Sequence, residues 1–298
     1  MKSMMKRNTF REIKKSFGRY FAILAIVALG VAFFSGLKIT QSVMVHSADV
    51  YLKDLQFYDY RLVSTLGFTE ENVEALAEKE DVRAAEGAIS AEVLYKDAGE
   101  NERVIKMHSI TEKVNKLKLV AGEMPQSADE CVVDSALFSE DAIGSKLVLS
   151  ENNTTDDLDK FAYKEYTITG LVQSPCYIQF ERGNTSIGNG RISGFAYILK
   201  DGFAVDYDTE IYIKFDEDYD IYSDEYDSYM DAKEADWEAY TKEQADIRYE
   251  KIVKDAQDEL DEKKEELEEK RAEAEAELES AKQQLTDCLL YTSPSPRD

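Results

Sequence analysis

Few residues in this 298-residue chain could do chemistry, and their spacing limits what that chemistry could be. There are two histidines, His46 and His108, and three cysteines, Cys131, Cys176 and Cys288. None has a His or Cys neighbour at zinc-ligand spacing and no CxxC pair occurs, which argues against a zinc knuckle or a dithiol redox motif. A nucleophile, a base and an orienting group cannot be assembled from two isolated histidines, so an extracytoplasmic hydrolase is the least favoured class. Asp216, Asp218 and Asp220 imitate the start of a calcium loop. Its sixth position is Ile221 where glycine is needed, and its twelfth is Asp227 where a glutamate belongs, so the acids read as a solvated linker. Gly183, Gly188 and Gly190 give their segment the glycine content of a phosphate loop. No Lys-Ser or Lys-Thr follows and no helix is expected there, so it reads as a shaped surface loop. No catalytic, cofactor-binding or metal-binding residue is assigned. Cys131 and Cys176 are expected as buried free thiols, with a disulfide between them as the open alternative.

The element that positions everything else is Tyr20–Leu37, an uncharged apolar run of about 18 residues, long enough to span a bilayer's hydrocarbon core. Tyr20, Leu24, Val27, Val31, Phe34 and Leu37 mark its length. Seven basic residues precede it against the single acid Glu12, and the charge behind it is strongly negative. Positive-inside therefore places residues 1–19 in the cytoplasm, the membrane helix at 20–45 and the chain after about residue 46 outside. A cleaved signal peptide would have a shorter apolar region and a small-residue site, whereas this run ends Phe33-Phe34-Ser35-Gly36-Leu37. Residues 1–45 carry about +7, residues 46–215 about −14 and residues 216–287 about −18, which disfavours nucleic acid as a partner. In the amino-terminal arm Phe10, Ile13 and Phe17 recur at helical spacing with Lys and Arg between them. Such a helix lies on the inner leaflet, with membrane lipid as its partner, before the chain turns in near Gly18.

Residues 46–215 read as a small mixed α/β domain, giving an α+β class overall. The membrane helix is expected to continue through Val43, Ala48, Tyr51, Leu52 and Leu55. A strand follows at Tyr60–Ser64, then a break at Leu66–Thr69, then a helix capped by Thr69 with Glu70 and Glu71 in its first turn and Val73, Leu76 and Ala77 buried. Ala88–Tyr95 and Arg103–Ser109 read as a hairpin around a polar turn in which Gly99 is available for a positive φ. Further strands are expected at Glu130–Asp134, Ser145–Leu149, Tyr166–Val172, Phe195–Leu199 and Ile211–Phe215. In the last, Ile211, Ile213 and Phe215 alternate with Tyr212 and Lys214, the pattern of a strand with one covered face. Glu151–Asp157 reads as a solvated loop.

Beyond Ser223 the sequence is dominated by Glu, Lys, Ala and Leu and reads as one long helix within an acidic linker and coiled-coil segment, 216–287. Leu260, Leu267, Ala274 and Ala281 recur every seven residues, and Leu278 and Leu285 occupy the alternate seam, which Lys264 and Arg271 interrupt. So narrow a stripe calls for a partner helix, and an antiparallel return arm following Asp287 is the expected one.

Leu117–Phe138, the following Ile143-Gly144 and Tyr166–Gly190 resemble the extracytoplasmic domain of the FtsX/MacB-like ABC transporter permeases. Phe10–Leu37 resembles the first membrane segment of the same family, especially the large Gram-positive members with a coiled-coil insertion. The resemblance implies a MacB-like periplasmic core fold and a permease subunit, not itself an enzyme and without cofactor. It implies a separate cytoplasmic ABC ATPase whose ATP hydrolysis moves the outer domain. It also implies a second permease copy, or a second half of the same chain. The loop Ser174–Gly190, with Pro175, Glu181, Arg182, Gly183, Gly188 and Gly190, is the candidate contact between domains. Family members have three further membrane helices after the outer domain, so the chain is expected to be an amino-terminal fragment. Cys288–Asp298 reads as a non-native, adapter-derived tail. The alternatives are a single-pass sensor or binding protein with a coiled-coil stalk, and a secreted, cleaved binding protein.

Overall fold

The basic arm and the apolar run form two helices in a computed structural model that describes residues 2–97 and 99–292. Helix α1 (Lys2–Lys15) meets α2 (Phe17–Asp54) at Ser16, two residues before the turn expected at Gly18. Helix α2 is long and apolar enough to cross a membrane. Tyr20, Leu24, Val27, Val31, Phe34 and Leu37 are all exposed along it. At about 1.5 Å per residue its 38 residues reach well past a bilayer core of about 30 Å. Its far end is where it packs: Asp49 and Leu52 are the residues it buries, and Gln56 at φ 52 turns the chain into the domain.

The domain follows as β1 (Tyr60–Phe68), α3 (Glu70–Ala77), β2 (Val82–Ala88), β3 (Ser90–Lys96), β4 (Glu102–Ser109), β5 (Lys118–Gly122), β6 (Glu130–Asp134), β7 (Lys146–Leu149), α4 (Thr155–Leu158), β8 (Glu165–Gln173), β9 (Ile192–Ile198) and β10 (Asp208–Phe215). Helix α5 (Asp224–Thr292) follows it. The fold is α+β, as the sequence implies.

Several local expectations are corrected. Strand β1 does not stop at Ser64. The glycine expected to end it produces a register irregularity between Val63 and Phe68, with Gly67 at φ +72 packed so closely on Tyr207 that a Cβ would lie 2.5 Å from its ring. Thr69 does cap α3, through Asn72: the Asn72 Oδ1 accepts from the Thr69 N–H and the Thr69 hydroxyl, each at 3.0 Å. Leu76 is buried beneath that helix and Val73 half-buried, but Ala77, expected to be buried, is exposed at the helix's last position. The hairpin of β3 and β4 keeps one register from Ser90↔His108 to Lys96↔Glu102. Its turn uses Glu100, not Gly99, at positive φ (61°), because the Asp97 carboxylate accepts from the N–H groups of Gly99 and Asn101 at 2.9 Å and fixes the loop around itself.

Two sheets result. The smaller has the order β1-β10-β2, antiparallel throughout. Strand β10 is therefore central, and Tyr212 and Lys214 are buried along with Ile211, Ile213 and Phe215, so both of its faces are covered. The larger has the order β5-β8-β6-β9-β4-β3-β7, and β7 pairs with β8 again. Along one edge of β8 the first residues meet β7 and the last meet β5, so the sheet closes on itself and β5 is appended. One face of the closed sheet buries Val93, Ile105, Met107, Cys131, Val133, Tyr166, Ile168 and Ile198. The opposite face buries Val132, Val172, Phe195 and Tyr197, with Tyr177 and Met124 packed against them. Alternation along β6 and β9 sends consecutive residues into the two layers, and each layer is covered.

Glu151–Asp157 is largely exposed, as expected of a solvated loop, and is anchored at Asn153 and Thr154. Asn153 accepts from the Leu94 N–H and donates to the Leu94 and Ser150 carbonyls, all at 2.8 Å, and Thr154 caps the short α4. The chain divides into two compact units, 1–227 and 228–298. The second, as far as it is described, is the body of the single 69-residue helix α5, on which Leu260, Leu267, Leu278 and Leu285 are more than half exposed and Ala274 and Ala281 are exposed. Of the tail Cys288–Asp298, residues 293–298 lie outside the described residues.

Candidate functional site

Strand β6 ends Cys131-Val132-Val133-Asp134, three buried apolar residues and then a buried carboxylate. Such a charge must find a cation. Arg182 supplies it from the loop after β8: its Nε donates to one Asp134 oxygen at 2.7 Å and its Nη2 to the other at 3.0 Å. Nη1 donates to the carbonyls of Tyr177 (3.0 Å) and Gln179. The guanidinium lies over the rings of Tyr177 and Phe195, 5.8 and 5.4 Å from their centroids. Asp134 also accepts from the Ala136 N–H at 2.9 Å. One fork thus ties strand β6 to both sides of the turn 175–182, which begins with Pro175 buried at the first position of a short 3₁₀ turn. At the crest of that turn Ile178 is exposed and Phe180 is 97% exposed. Beside the crest is a cleft of about 250 Å³, lined by Tyr51, Ser135, Gln173, Ser174 and Gln179 among others.

Beneath the turn is a stacked aromatic layer. Tyr177 lies on Phe195, with centroids 4.4 Å apart and planes 12° apart, and its hydroxyl is 2.6 Å from His108 Nε2. His108 stacks on Tyr197 at 5.0 Å, and the Tyr197 hydroxyl meets Ser174 Oγ at 2.8 Å. Burial pushes His108 down to about 3, helped by the charge of Lys106, so the imidazole is neutral at physiological pH. Burial pushes the Cys176 thiol up to about 11 and raises Cys131 further still. Both are free and protonated, so neither is a poised nucleophile. Glu210 on β10 is buried as well. Burial alone would raise its carboxyl, but the hydroxyls of Ser90 (2.6 Å) and Tyr212 (2.5 Å) and the charge of Arg61 (3.1 Å) outweigh it and hold it below the usual range. These groups bind one another and offer no base or nucleophile to a substrate.

A second cluster joins the two ends of the domain. Lys53 near the end of α2 lies between Asp49 (3.1 Å) and Asp220 (2.6 Å), and Asp49 also accepts from the Ile221 N–H at 2.9 Å. Asp59, between α2 and β1, accepts from Lys214 Nζ (2.9 Å), the Phe215 N–H (2.9 Å) and the Tyr226 hydroxyl (3.1 Å). Asp216 pairs with Arg83. The acids read as a solvated linker are therefore partly fastened to α2 and β2. Among the described residues no group of three or more His, Cys, Asp or Glu is placed to hold a metal ion.

The structure places Arg182 at the cleft, buries Pro175 at the start of the same turn and leaves Glu181 exposed. Gly183 (φ 114), Gly188 (φ 57) and Gly190 (φ 81) shape the return of the same loop, which Thr185 anchors to Glu92 at 2.6 Å. His46, exposed on α2, and His108 are not neighbours. Neither the Asp134–Arg182 fork nor the Asp59 hub follows from spacing, although a carboxylate ending an apolar strand was a signal for the first.

No protein-family model matches the chain, and no curated protein matches it. Two solved structures similar to it are extracytoplasmic domains. One is the extracellular domain of the noncanonic ABC-type transporter YknZ from Gram-positive bacteria, at 12% identity and TM-score 0.34, covering 52% of this chain and 76% of that one. The other is the periplasmic region of MacB from Actinobacillus actinomycetemcomitans, at 14% identity and TM-score 0.34, covering 54% and 69%.

Proposed function

We propose that the chain is a permease component of an ABC transporter of the FtsX/MacB-like kind, in which α2 anchors an extracytoplasmic domain that moves when a partner subunit hydrolyses ATP in the cytoplasm. One observation carries this reading. The segments whose sequence resembles that family, Leu117–Phe138 and Tyr166–Gly190, fold as the adjacent strands β5, β8 and β6 together with the turn held by Arg182.

In this reading residues 1–19 lie in the cytoplasm, with α1 on the inner leaflet nearest the ATPase, and the chain after about residue 46 is outside. The ATPase carries the chemistry and this chain carries the motion. The Asp49–Lys53–Asp220 and Asp59 clusters fasten α2 to the strand and linker that leave the domain, so displacement of α2 reaches the domain's exit without bending a sheet. The coiled-coil helix extends the moving surface and pairs with a return arm, and the second permease partner is another copy or the second half of the same chain.

Affinity purification of the complete natural protein from its own membranes tests the proposal. An ATP-hydrolysing subunit should co-purify in fixed ratio. Recovery without any nucleotide-binding partner, or with a signalling kinase in its place, would favour the anchored-sensor alternative.

A further inference from the structure

The loop between β4 and β5 is rooted in the large sheet but spends its backbone donors elsewhere. At its ends the Ile110 N–H donates to the Ile198 carbonyl at 2.9 Å, and Ile110 and Leu117 pack on the layer of Val132, Val172, Phe195 and Tyr197. Between them five consecutive N–H groups point outward. Those of Glu112, Lys113 and Val114 donate to the Glu86 carboxylate on β2, at 2.7, 2.8 and 3.0 Å. Those of Asn115 and Lys116 donate to the Gln56 and Leu55 carbonyls at the end of α2, at 2.9 and 2.8 Å, and the Asn115 Oδ1 accepts from the Tyr58 N–H at 3.1 Å. Asn115 (φ 54) and Gln56 (φ 52) both adopt left-handed backbone where they meet, a cost that persists only where the surrounding bonds outweigh it. Val114 is fully buried with Ala88 and Tyr212 of the small sheet.

We infer that this loop is a joint that makes the large sheet follow α2 and the small sheet, and that Glu86 is the positioning residue that holds it closed. The inference rests on the permease reading for what drives α2, and it adds the route into the large sheet. The Asp59 and Lys53 clusters lead only to β10 and the linker. The two sheets also meet where the chain crosses from β2 to β3. There Ile89 and Ser109 exchange bonds at 2.8 and 2.9 Å, and Ser90 donates to Thr209 (2.8 Å) and Glu210 (2.6 Å). Such a crossing alone is a hinge. Glu86 lies four residues before Ser90, about 13 Å along an extended chain, so the loop is a second attachment that stops rotation about the first. A carboxylate suits the task because it accepts only, and it takes three N–H donors with charge-assisted strength. Glutamine there would turn an amide donor toward another donor.

The test uses the complete protein in membranes, with spin labels at the exposed positions Glu100, on the large sheet, and Glu217, just beyond β10, in one copy diluted with unlabelled copies. The parent should give one narrow distance by pulsed electron resonance, and Glu86→Gln should broaden it. Glu86→Asp keeps the charge but falls a methylene short; it should broaden the distance less, and gives the reading if the glutamine variant does not fold. Hydrogen exchange at the Glu112–Val114 amides should rise about tenfold in Glu86→Gln, as expected for lost bonds to a charged acceptor. Asn153→Ala, whose lost bonds run to Leu94 and Ser150 instead, should leave the distance narrow, so lowered stability alone does not reproduce the effect. With ATP on the cytoplasmic side, labels at Glu217 in two copies of Glu86→Gln should shift as in the parent, while labels at Glu100 should lose their shift. A narrow distance in both Glu86 variants, equal broadening in Asn153→Ala, or an undiminished shift at Glu100 would overturn the inference. If Glu86→Gln broadens the distance but ATP moves neither position even in the parent, the joint stands and the permease reading falls.

Discussion

Arg182 and Asp134 show how much one buried pair can decide. Their side chains are 9% and 3% exposed, and each satisfies the other in a bidentate fork. Removing one leaves a charge without a partner, so Arg182→Met should lower unfolding free energy by about 3–5 kcal/mol in denaturant titration of the protein. The double variant with Asp134→Asn should recover part of that loss, because the orphaned charge is gone. His108 makes a second prediction at this scale. Its folded value, about 3, lies below the ordinary value near 6.5, so its contribution is present above pH 6.5 and is lost as pH falls toward 3. Between pH 7 and pH 5 the domain should lose about 2 kcal/mol from this residue alone, at about 1.4 kcal/mol per unit. His108→Gln should flatten that part of the stability profile, and an unchanged slope would show that the imidazole is not held neutral by its burial.

At the scale of elements, the sequence was most legible where periodicity was strong. The apolar run became α2, the hairpin fell at its expected turn, and β6, β7 and β8 lie within a residue or two of their apolar segments. Strand β2 was hidden because Val82-Arg83-Ala84-Ala85-Glu86-Gly87-Ala88 has little β-branched character and is a strand only because β10 lies beside it. Strand β5 was hidden for the related reason that it is short and added at the closure of a sheet. The candidate site was legible only as a loop. Its organising pair is 48 residues apart in sequence, and no local pattern records a contact of that separation. Asn153 is another such case: Asn153→Ala removes three hydrogen bonds to the backbone of β3 and of Ser150, and should cost about 1–3 kcal/mol, read as a lowered melting temperature. Helix α5 gives the clearest test of an element alone. Its exposed seam of Leu260, Leu267, Leu278 and Leu285 lies within a stretch, Ser223–Asp287, carrying about −14, so a peptide of that stretch should be only partly helical at low concentration by circular dichroism. A fully helical monomer would remove the need for a return arm.

The whole molecule has a charge-asymmetric anchor, a closed sheet with an added strand and a second small sheet, and a helix about 100 Å long at 1.5 Å per residue. Orientation can be read with an impermeant thiol reagent: a cysteine placed in residues 1–19 should be protected in intact cells, and one placed in Glu151–Asp157 should react. Labelling of both would contradict the inward basic arm. The central claim is that ATP hydrolysed in the cytoplasm moves the domain outside, and a distance measurement tests it most directly. Spin labels at Glu100, an exposed site, in two copies of the assembled transporter report the separation of the outer domains by pulsed electron resonance. The account predicts that the distance distribution shifts when ATP is supplied on the cytoplasmic side and returns when it is exhausted. An unchanged distribution while hydrolysis proceeds would contradict it.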